Sequence, residues 1–389
     1  MSNNKKIRVA VLFGGRSGEH EVSLVSASSV IENLDKEKYE VIPVGITKEG
    51  RWIAGPESMK LLKANQAPKE SNIVIPAEPN CVILEGAKRP IGSSMDSIAS
   101  AADAASLQND SKRIDVVFPV LHGPYGEDGT VQGFLELTGL PYVGCGVLAS
   151  AVAMDKVMQK KVFQAEGLLQ VPYVWFWRNE WSKNQDKYIG EIETMGYPVF
   201  VKPANLGSSV GINKAKNREE LKTAIAEASA YDRKVLVEKG IENAREIECS
   251  VLGNQEVRAS VPGQIIPSNE FYDYDAKYVD GKSDAKIPAD LPADIIKIIQ
   301  AMAISAFRAL SGEGLARVDF FLTADNKLYI NEVNTMPGFT SISMYPKLWE
   351  ASGLGYSALL DELIKLALAR SQEKNSLKIS YEPKAAWYA

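Results

Sequence analysis

Apolar and polar positions in the first third of the chain switch between strand-like and helix-like periods. The run Ile7-Arg8-Val9-Ala10-Val11-Leu12-Phe13 is short and almost wholly apolar and stops at Gly14-Gly15, which predicts a buried strand. A turn from Gly14 to Gly18 and a helix from Glu21 to Leu34 follow, then strands at 40–47 and 114–120. This βαβ pattern predicts a parallel sheet with helices on both faces. Ligands of such sheets sit outside the carboxyl ends of the strands, where Gly14-Gly15 and His122-Gly123 fall. Residues 86–112, rich in Ala, Ser and Asp, read as a surface insertion with a short helix around Ser97 to Leu107.

The pattern changes near residue 150. Met154 to Gly167 is helical, Val171-Pro172-Tyr173 opens a strand, and Pro198 to Pro203 is a strand that runs into the Gly/Ser loop Asn205 to Gly211. Asn217 with Glu220 forms a capping box for a helix to about Tyr231, and Val235 to Glu238 is again a strand. Further on come a long polar loop (Asn269 to Lys286) and an apolar helix from near Pro292 to about Leu310. Strands Ala316 to Leu322 and Lys327 to Asn334 follow, then an amphipathic helix from Ser357 to Arg370. The fold class is α/β, becoming α+β in the C-terminal part. With 389 residues, two or three domains are expected.

Composition narrows the function classes. Hydrophobic residues at 45% and charged residues at 24% describe a globular chain. The net charge is −5 and no dense basic run occurs, which disfavours a nucleic-acid partner. Cys81, Cys145 and Cys249 are far apart, giving neither a disulfide framework nor CxxC spacing, so a reducing cytoplasm fits best. No apolar run approaches the roughly 18–20 residues of a membrane span. The N-terminal apolar run is short, contains Arg8 and lacks a cleavage-like segment, so it reads as a strand rather than a signal peptide.

Two groups of residues carry candidate chemistry. Residues two apart in a strand share a face, so Arg317 pairs with Asp319, and Glu332 with Asn334. The gap Thr323 to Asn326 suits a hairpin, which would set two carboxylates and an amide oxygen side by side. Such all-oxygen sets suit Mg²⁺ completed by water and phosphates. Spacing alone reads equally as a solvated sheet face; the turn Pro337-Gly338 just beyond favours close approach of a ligand. The second group is Lys202 with Gly207, Ser208, Ser209 and Gly211, an anion nest that is not a P-loop, since the lysine precedes the loop. A plain tight turn explains the loop as well. Lys156, Glu238 and Glu246 are each compatible with ordinary surface positions.

Together these residues resemble the D-alanine–D-alanine ligases of the ATP-grasp superfamily. The resemblance rests on Gly14-Gly15-Arg16-Ser17-Gly18-Glu19-His20-Glu21-Val22-Ser23, on Leu121-His122-Gly123-Pro124-Tyr125-Gly126-Glu127-Asp128-Gly129, on the Gly/Ser loop, on Tyr274-Asp275-Ala276-Lys277-Tyr278, and on 316–343. It covers nearly the whole chain apart from 86–112 and the last ~15 residues. It implies three domains: 1–150 N-terminal, 151–240 central, and 241–389 C-terminal with 269–286 as a lid. ATP would lie between the last two. Lys156 and Lys202, with Ser208 and Ser209, would meet the phosphates. Glu238 would meet the adenine amino group, with backbone at Lys239 and Ile241 and with Phe271. Glu246 would bind the ribose. Asp319, Glu332 and Asn334 would hold two Mg²⁺, with Glu332 bridging and Mn²⁺ as a substitute.

Glu19 would bind the ammonium of the first D-alanine, with His122 close by. Ser343 and Gly338 would hold the carboxylate of the second, and Arg317 would stabilise charge at the acyl centre. Tyr278 and Ser208, linked with Glu19, would close the site, and Lys277 would contact the substrate. Tyr278 argues for D-alanine as acceptor, because D-lactate-using relatives often carry Phe there; Met344 does not decide. A homodimer is implied by resemblance alone. Competing readings are another ATP-grasp ligase, disfavoured by Glu19 and Lys277-Tyr278, and a degenerate nucleotide-binding module, disfavoured by the intact Arg317, Asp319, Glu332 and Asn334.

Overall fold

A computed structural model describes residues 5–66, 73–74, 83–84, 114–266, 284–378 and 380–381. The 86–112 insertion, Phe271, Lys277 and Tyr278 lie outside the described residues.

The first sheet has the order Trp52–Ala54, Tyr39–Ile46, Ile7–Gly14, Val116–Pro119, and the last three strands are parallel. Period two splits their side chains between two cores. Ala10, Leu12 and Val117 face Val131 and Leu135 of the helix Thr130–Thr138. Val9, Val11, Phe13, Val116 and Phe118 face the helix His20–Asn33 and, from the far end of the chain, Leu359, Leu360, Leu363 and Ile364 of the helix Tyr356–Asn375. Each such aliphatic burial is worth roughly 1.5–3 kcal/mol. The C-terminal helix is therefore part of the N-terminal core. Polar contacts fix its register: Tyr39 donates to Asp361, Arg370 donates to the carbonyls of Gly144 (2.6 Å) and Tyr142 (2.8 Å), and Lys374 pairs with Glu136.

The helix expected over 154–167 spans Lys156–Ala165, and a separate helix, Val147–Met154, precedes it. Asp155 separates them in extended conformation and caps the second by accepting from the N–H groups of Val157 and Met158. That break fixes Lys156 as the first residue of the new helix.

The central sheet, Tyr173–Trp177, Lys234–Lys239, Val199–Pro203, Asn213–Ala215, is antiparallel throughout. The helices Gln185–Met195 and Arg218–Tyr231 cover one face of it. Asn217 caps the second helix as expected, accepting from the N–H groups of Glu219 and Glu220.

The third sheet has the order Asp284–Lys286, Gly263–Ile266, Arg245–Gly253, Gly314–Leu322, Leu328–Asn334. Its apolar face packs on the helix Ala293–Ala309 through Ile247, Val251, Val318 and Phe320. The last three residues of the expected 269–286 loop are thus a strand, paired with Gln264–Ile266; the loop's residues up to 283 lie outside the described set.

Candidate active site

The polar face of the third sheet forms one wall of a cavity of about 1240 Å³, whose lining also comes from the first and central units. Three strands contribute by register. Glu248 lies opposite Asp319 and Ser250 opposite Arg317 on one side, and on the other Asp319 lies opposite Glu332 and Arg317 opposite Asn334. The hairpin read from the sequence thus brings Arg317, Asp319, Glu332 and Asn334 together. A β-bulge follows the Asp319–Glu332 pair, so the next pair is Phe320–Ile330 and Asn331 is the extra residue. Asn331 and Glu332 consequently both line the cavity, although strict alternation would send them to opposite faces.

The helix Lys156–Ala165 anchors this outer strand. Gln159, almost fully buried, donates to the carbonyl of Val333 (3.1 Å) and accepts from its N–H (3.0 Å). The carboxamide stands in for a neighbouring strand at the residue between Glu332 and Asn334.

Cations occupy the carboxylates here. Arg317 donates twice to Asp319, at 2.7 Å each, and lies 3.1 Å from Glu248. Burial opposes the guanidinium charge, but Asp319 and Glu248 outweigh it and raise the Arg317 pKa well above its usual value. Lys156 is 3.2 Å from Glu332 and donates to the carbonyl of Leu206. The side-chain oxygen of Asn334 accepts from the N–H of Met336. Among the described residues no cluster of three or more His, Cys, Asp and Glu gathers to hold an ion unaided. Two carboxylates and an amide oxygen are nonetheless the donor set that suits Mg²⁺, which takes its remaining ligands from water and phosphate. The residues present fit that ion.

Lys202, buried, faces the same cavity. Its Nζ is 2.5 Å from Glu238 Oε2 and 3.5 Å from Asn331 Oδ1. Burial would lower its pKa, yet the charges of Glu238 and Glu332 prevail and raise it. Glu238 also meets Lys160, at 2.5 Å through its other oxygen. Burial would push this carboxyl up, but the two lysines bring it down to about 2. Beyond Glu238 the chain turns. The N–H of Lys239 is committed to the carbonyl of Pro172, so its backbone can offer a ligand only its carbonyl. Among the described residues the N–H of Ile241 has no hydrogen-bond partner. Glu246 lines the cavity.

At the other end, Ser17 donates to the carbonyl of His122 (2.7 Å), joining the two loops at the carboxyl edge of the first sheet. Glu19 sits among them. Ser208 of the Gly/Ser loop donates to one oxygen, and a Cβ on either Gly123 or Gly207 would come within 2.7 Å of the other. Ser208 and Ser209 both hold left-handed backbone (φ 50 and 61). His122 lines the cavity but its ring is engaged on both sides, with Nδ1 at 3.1 Å from the carbonyl of Met336 and Nε2 at 3.1 Å from Ser26 Oγ. Burial lowers its pKa, which fits a neutral ring donating from Nδ1 and accepting at Nε2. Ser26 in turn accepts from the N–H of Phe339. His122 thus ties the first unit to the turn 336–339. On that turn the N–H of Gly338 has no partner among the described residues, and a Cβ there would meet Ser343 Oγ at 2.7 Å. Ser343 Oγ is bonded to the N–H and hydroxyl of Thr340.

Four residues were not singled out by the sequence reading: Glu127 and Glu248, which line the cavity, and Gln159 and Lys160, which stand behind its lining. Period two from Glu246 would have found Glu248, and the i, i+4 relation to Lys156 would have found Lys160. Glu127 is buried and accepts from the N–H of Gly123 (2.7 Å). Burial, then the charge of Glu19, pushes its pKa from 4.5 to about 8. Between those values the folded chain binds a proton that the unfolded chain has released, so stability should fall as pH rises from 4.5 to 8. Urea midpoints measured at several pH values across this window should decline, and Glu127→Gln should flatten the slope. A slope unaffected by the substitution would remove Glu127 as its source.

Comparisons with known proteins agree on one family. The family profile "D-ala D-ala ligase N-terminus" matches residues 8–145 and "D-ala D-ala ligase C-terminus" matches residues 162–365. A D-alanine–D-alanine ligase from Caldicellulosiruptor bescii is 53% identical over 380 residues, covering 97% of this chain and 99% of that one. Among solved structures, the D-alanine–D-alanine ligase from Coxiella burnetii matches with a TM-score of 0.76 at 37% identity, over 95% of this chain and 96% of that one. The VanG D-Ala:D-Ser ligase from Enterococcus faecalis matches with a TM-score of 0.77 at 37% identity, over 93% and 100%.

Proposed function

The chain belongs to the D-alanine–D-alanine ligase family, and on that premise we propose how its residues divide the reaction. It is an ATP-dependent ligase that joins two D-alanines, through an acyl phosphate, into D-alanyl-D-alanine for peptidoglycan precursor synthesis. The observation that carries the residue assignment is the single cavity, which brings Glu19, Lys156, Lys202, Arg317, Asp319 and Glu332 together from three parts of the chain.

ATP lies between the central and C-terminal domains. Glu238 accepts from the adenine amino group, with the Lys239 carbonyl and the Ile241 N–H beside it, and Glu246 takes the ribose hydroxyls. Lys156, Lys202 and the loop at Ser208 and Ser209 hold the phosphates. Asp319, Glu332 and Asn334 would hold two Mg²⁺, or Mn²⁺ in their place, and the metal would neutralise phosphate charge. Arg317 and Lys156, which grip Asp319 and Glu332 here, are then released towards the substrates.

In the first step a carboxylate oxygen of one D-alanine, held by its ammonium on Glu19, attacks the γ-phosphorus and ADP leaves. Positioning and charge neutralisation dominate such transfers. In the second step the amine of the other D-alanine, its carboxylate at Ser343, attacks the acyl carbon. The oxyanion meets Arg317 and the N–H of Gly338, then inorganic phosphate leaves and takes up the proton that the amine gives up. The enzyme works in the cytoplasm, where its substrates are made, and as a homodimer. No helix among the described residues is long and apolar enough to cross a membrane.

The test is phosphate release from ATP with D-alanine, D-lactate or D-serine as acceptor near neutral pH. Release that depends on D-alanine, with D-alanine preferred, supports the reading. A clear preference for D-lactate or D-serine overturns the acceptor assignment, and release indifferent to all three overturns the ligase assignment.

A further inference from the structure

Lys160 has no part in the steps above, yet it is one of the most deeply buried side chains in the protein, 2% exposed. It lies four residues after Lys156, on the same face of one helix. Lys156 points to the phosphate end of the cavity and Lys160 to the other end, behind Glu238. Its Nζ is 2.5 Å from Glu238 Oε1 and 5.4 Å from the centre of the Tyr173 ring. Glu238 is its sole ion-pair partner among the described residues. Lys202 meets the other oxygen of Glu238 at the same distance. The two lysines differ in where they stand. Lys202 lines the cavity and also faces Asn331 and the charge of Glu332, whereas Lys160 does not line the cavity.

A buried lysine with one carboxylate is weak support for a fold, because desolvation offsets the attraction. One cation would also be enough to neutralise Glu238. The second cation matters once Lys202 turns to a triphosphate. We propose that Lys160 is a positioning residue that sets purine choice, keeping Glu238 an ionised acceptor for the 6-amino group of adenine while Lys202 serves the phosphates. This rests on the assignment of Glu238 to adenine. When Lys202 turns to the phosphates it frees Oε2 of Glu238 to accept from the base, while Lys160 keeps its hold on Oε1. Without Lys160, the buried Glu238 takes up a proton when Lys202 leaves. A neutral carboxyl donates to a 6-oxo group as readily as it accepts from a 6-amino group.

The test compares ATP with ITP, which carries a 6-oxo group in place of the amino group. The readout is kcat/KM for D-alanine-dependent phosphate release by the full chain. The wild type should favour ATP by tenfold or more. Lys160→Met should narrow the ratio about tenfold, chiefly through KM, and Lys160→Arg should keep it. Should Lys160→Met fail to fold, Lys160→Gln carries the test, being neutral but able to hydrogen-bond Glu238. A merely structural lysine would lower both nucleotides alike, so an unchanged ratio in a folded Lys160→Met or Lys160→Gln overturns the proposal. A wild type that does not distinguish ATP from ITP overturns instead the placing of Glu238 at the amino group.

Discussion

Arg317→Ala should lower kcat by about 10²–10³ while the dissociation constant for ATP changes only a few-fold. Removing one well-placed donor to a developing oxyanion typically costs about 3–4 kcal/mol at the transition state. Arg317 lies on the sheet face that carries Asp319 and Glu332, and it reaches Asp319 through two parallel hydrogen bonds. That geometry adds a second expectation. Without the guanidinium, Asp319 and Glu248 face each other across adjacent strands with no cation between them. The metal-free variant should therefore melt lower than the wild type, and Mg²⁺ with ATP should recover more stability in the variant, because the ion supplies the missing charge. Arg317→Lys should rescue little, since a point charge cannot make the paired contact. Turnover near the wild-type rate in Arg317→Ala would take the residue out of the acyl-transfer step.

Glu19→Gln should raise KM for the first D-alanine by about 10–100-fold at saturating ATP, with a smaller effect on kcat. A hydrogen bond between charged partners is worth roughly 1.5–3 kcal/mol, and the amide keeps the shape but loses the charge. The pocket offers an independent check by steric means. Gly207→Ala would place a methyl 2.7 Å from Glu19 Oε2, approaching from the central unit. It should displace the carboxylate and raise the same KM without altering any charge. An unchanged KM in Glu19→Gln would argue against the ammonium role, whatever the glycine variant does.

Much of the site was legible because its chemistry follows period two. Arg317 with Asp319, and Glu332 with Asn334, could be set on one face from spacing, and the short gap at Thr323 to Asn326 made their strands neighbours. The strand ends at Gly14-Gly15 and His122-Gly123 likewise followed from a βαβ pattern. What escaped depended on irregularity or on long-range packing. The bulge beside Asp319 turns Asn331 to the cavity, and no propensity signals it. The helix Val147–Met154 had no place in the sequence reading, and Asp155, which caps the next helix, separates the two. Gln159 reads as an ordinary helix-surface amide until the strand it completes is in view. His122 reads as a substrate contact, and its two ring bonds to Met336 and Ser26 come from residues 214 and 96 positions away.

The helix Tyr356–Asn375 bears on how the chain is made. One face of the first sheet is closed by residues that lie far beyond it in the chain, so a nascent chain that has not yet reached them holds Val9, Val11, Phe13 and Phe118 without their final cover. Such surfaces are prone to aggregation until covered. A chain cut short before residue 356 should accordingly collect as an insoluble product even though every residue assigned to the chemistry is present.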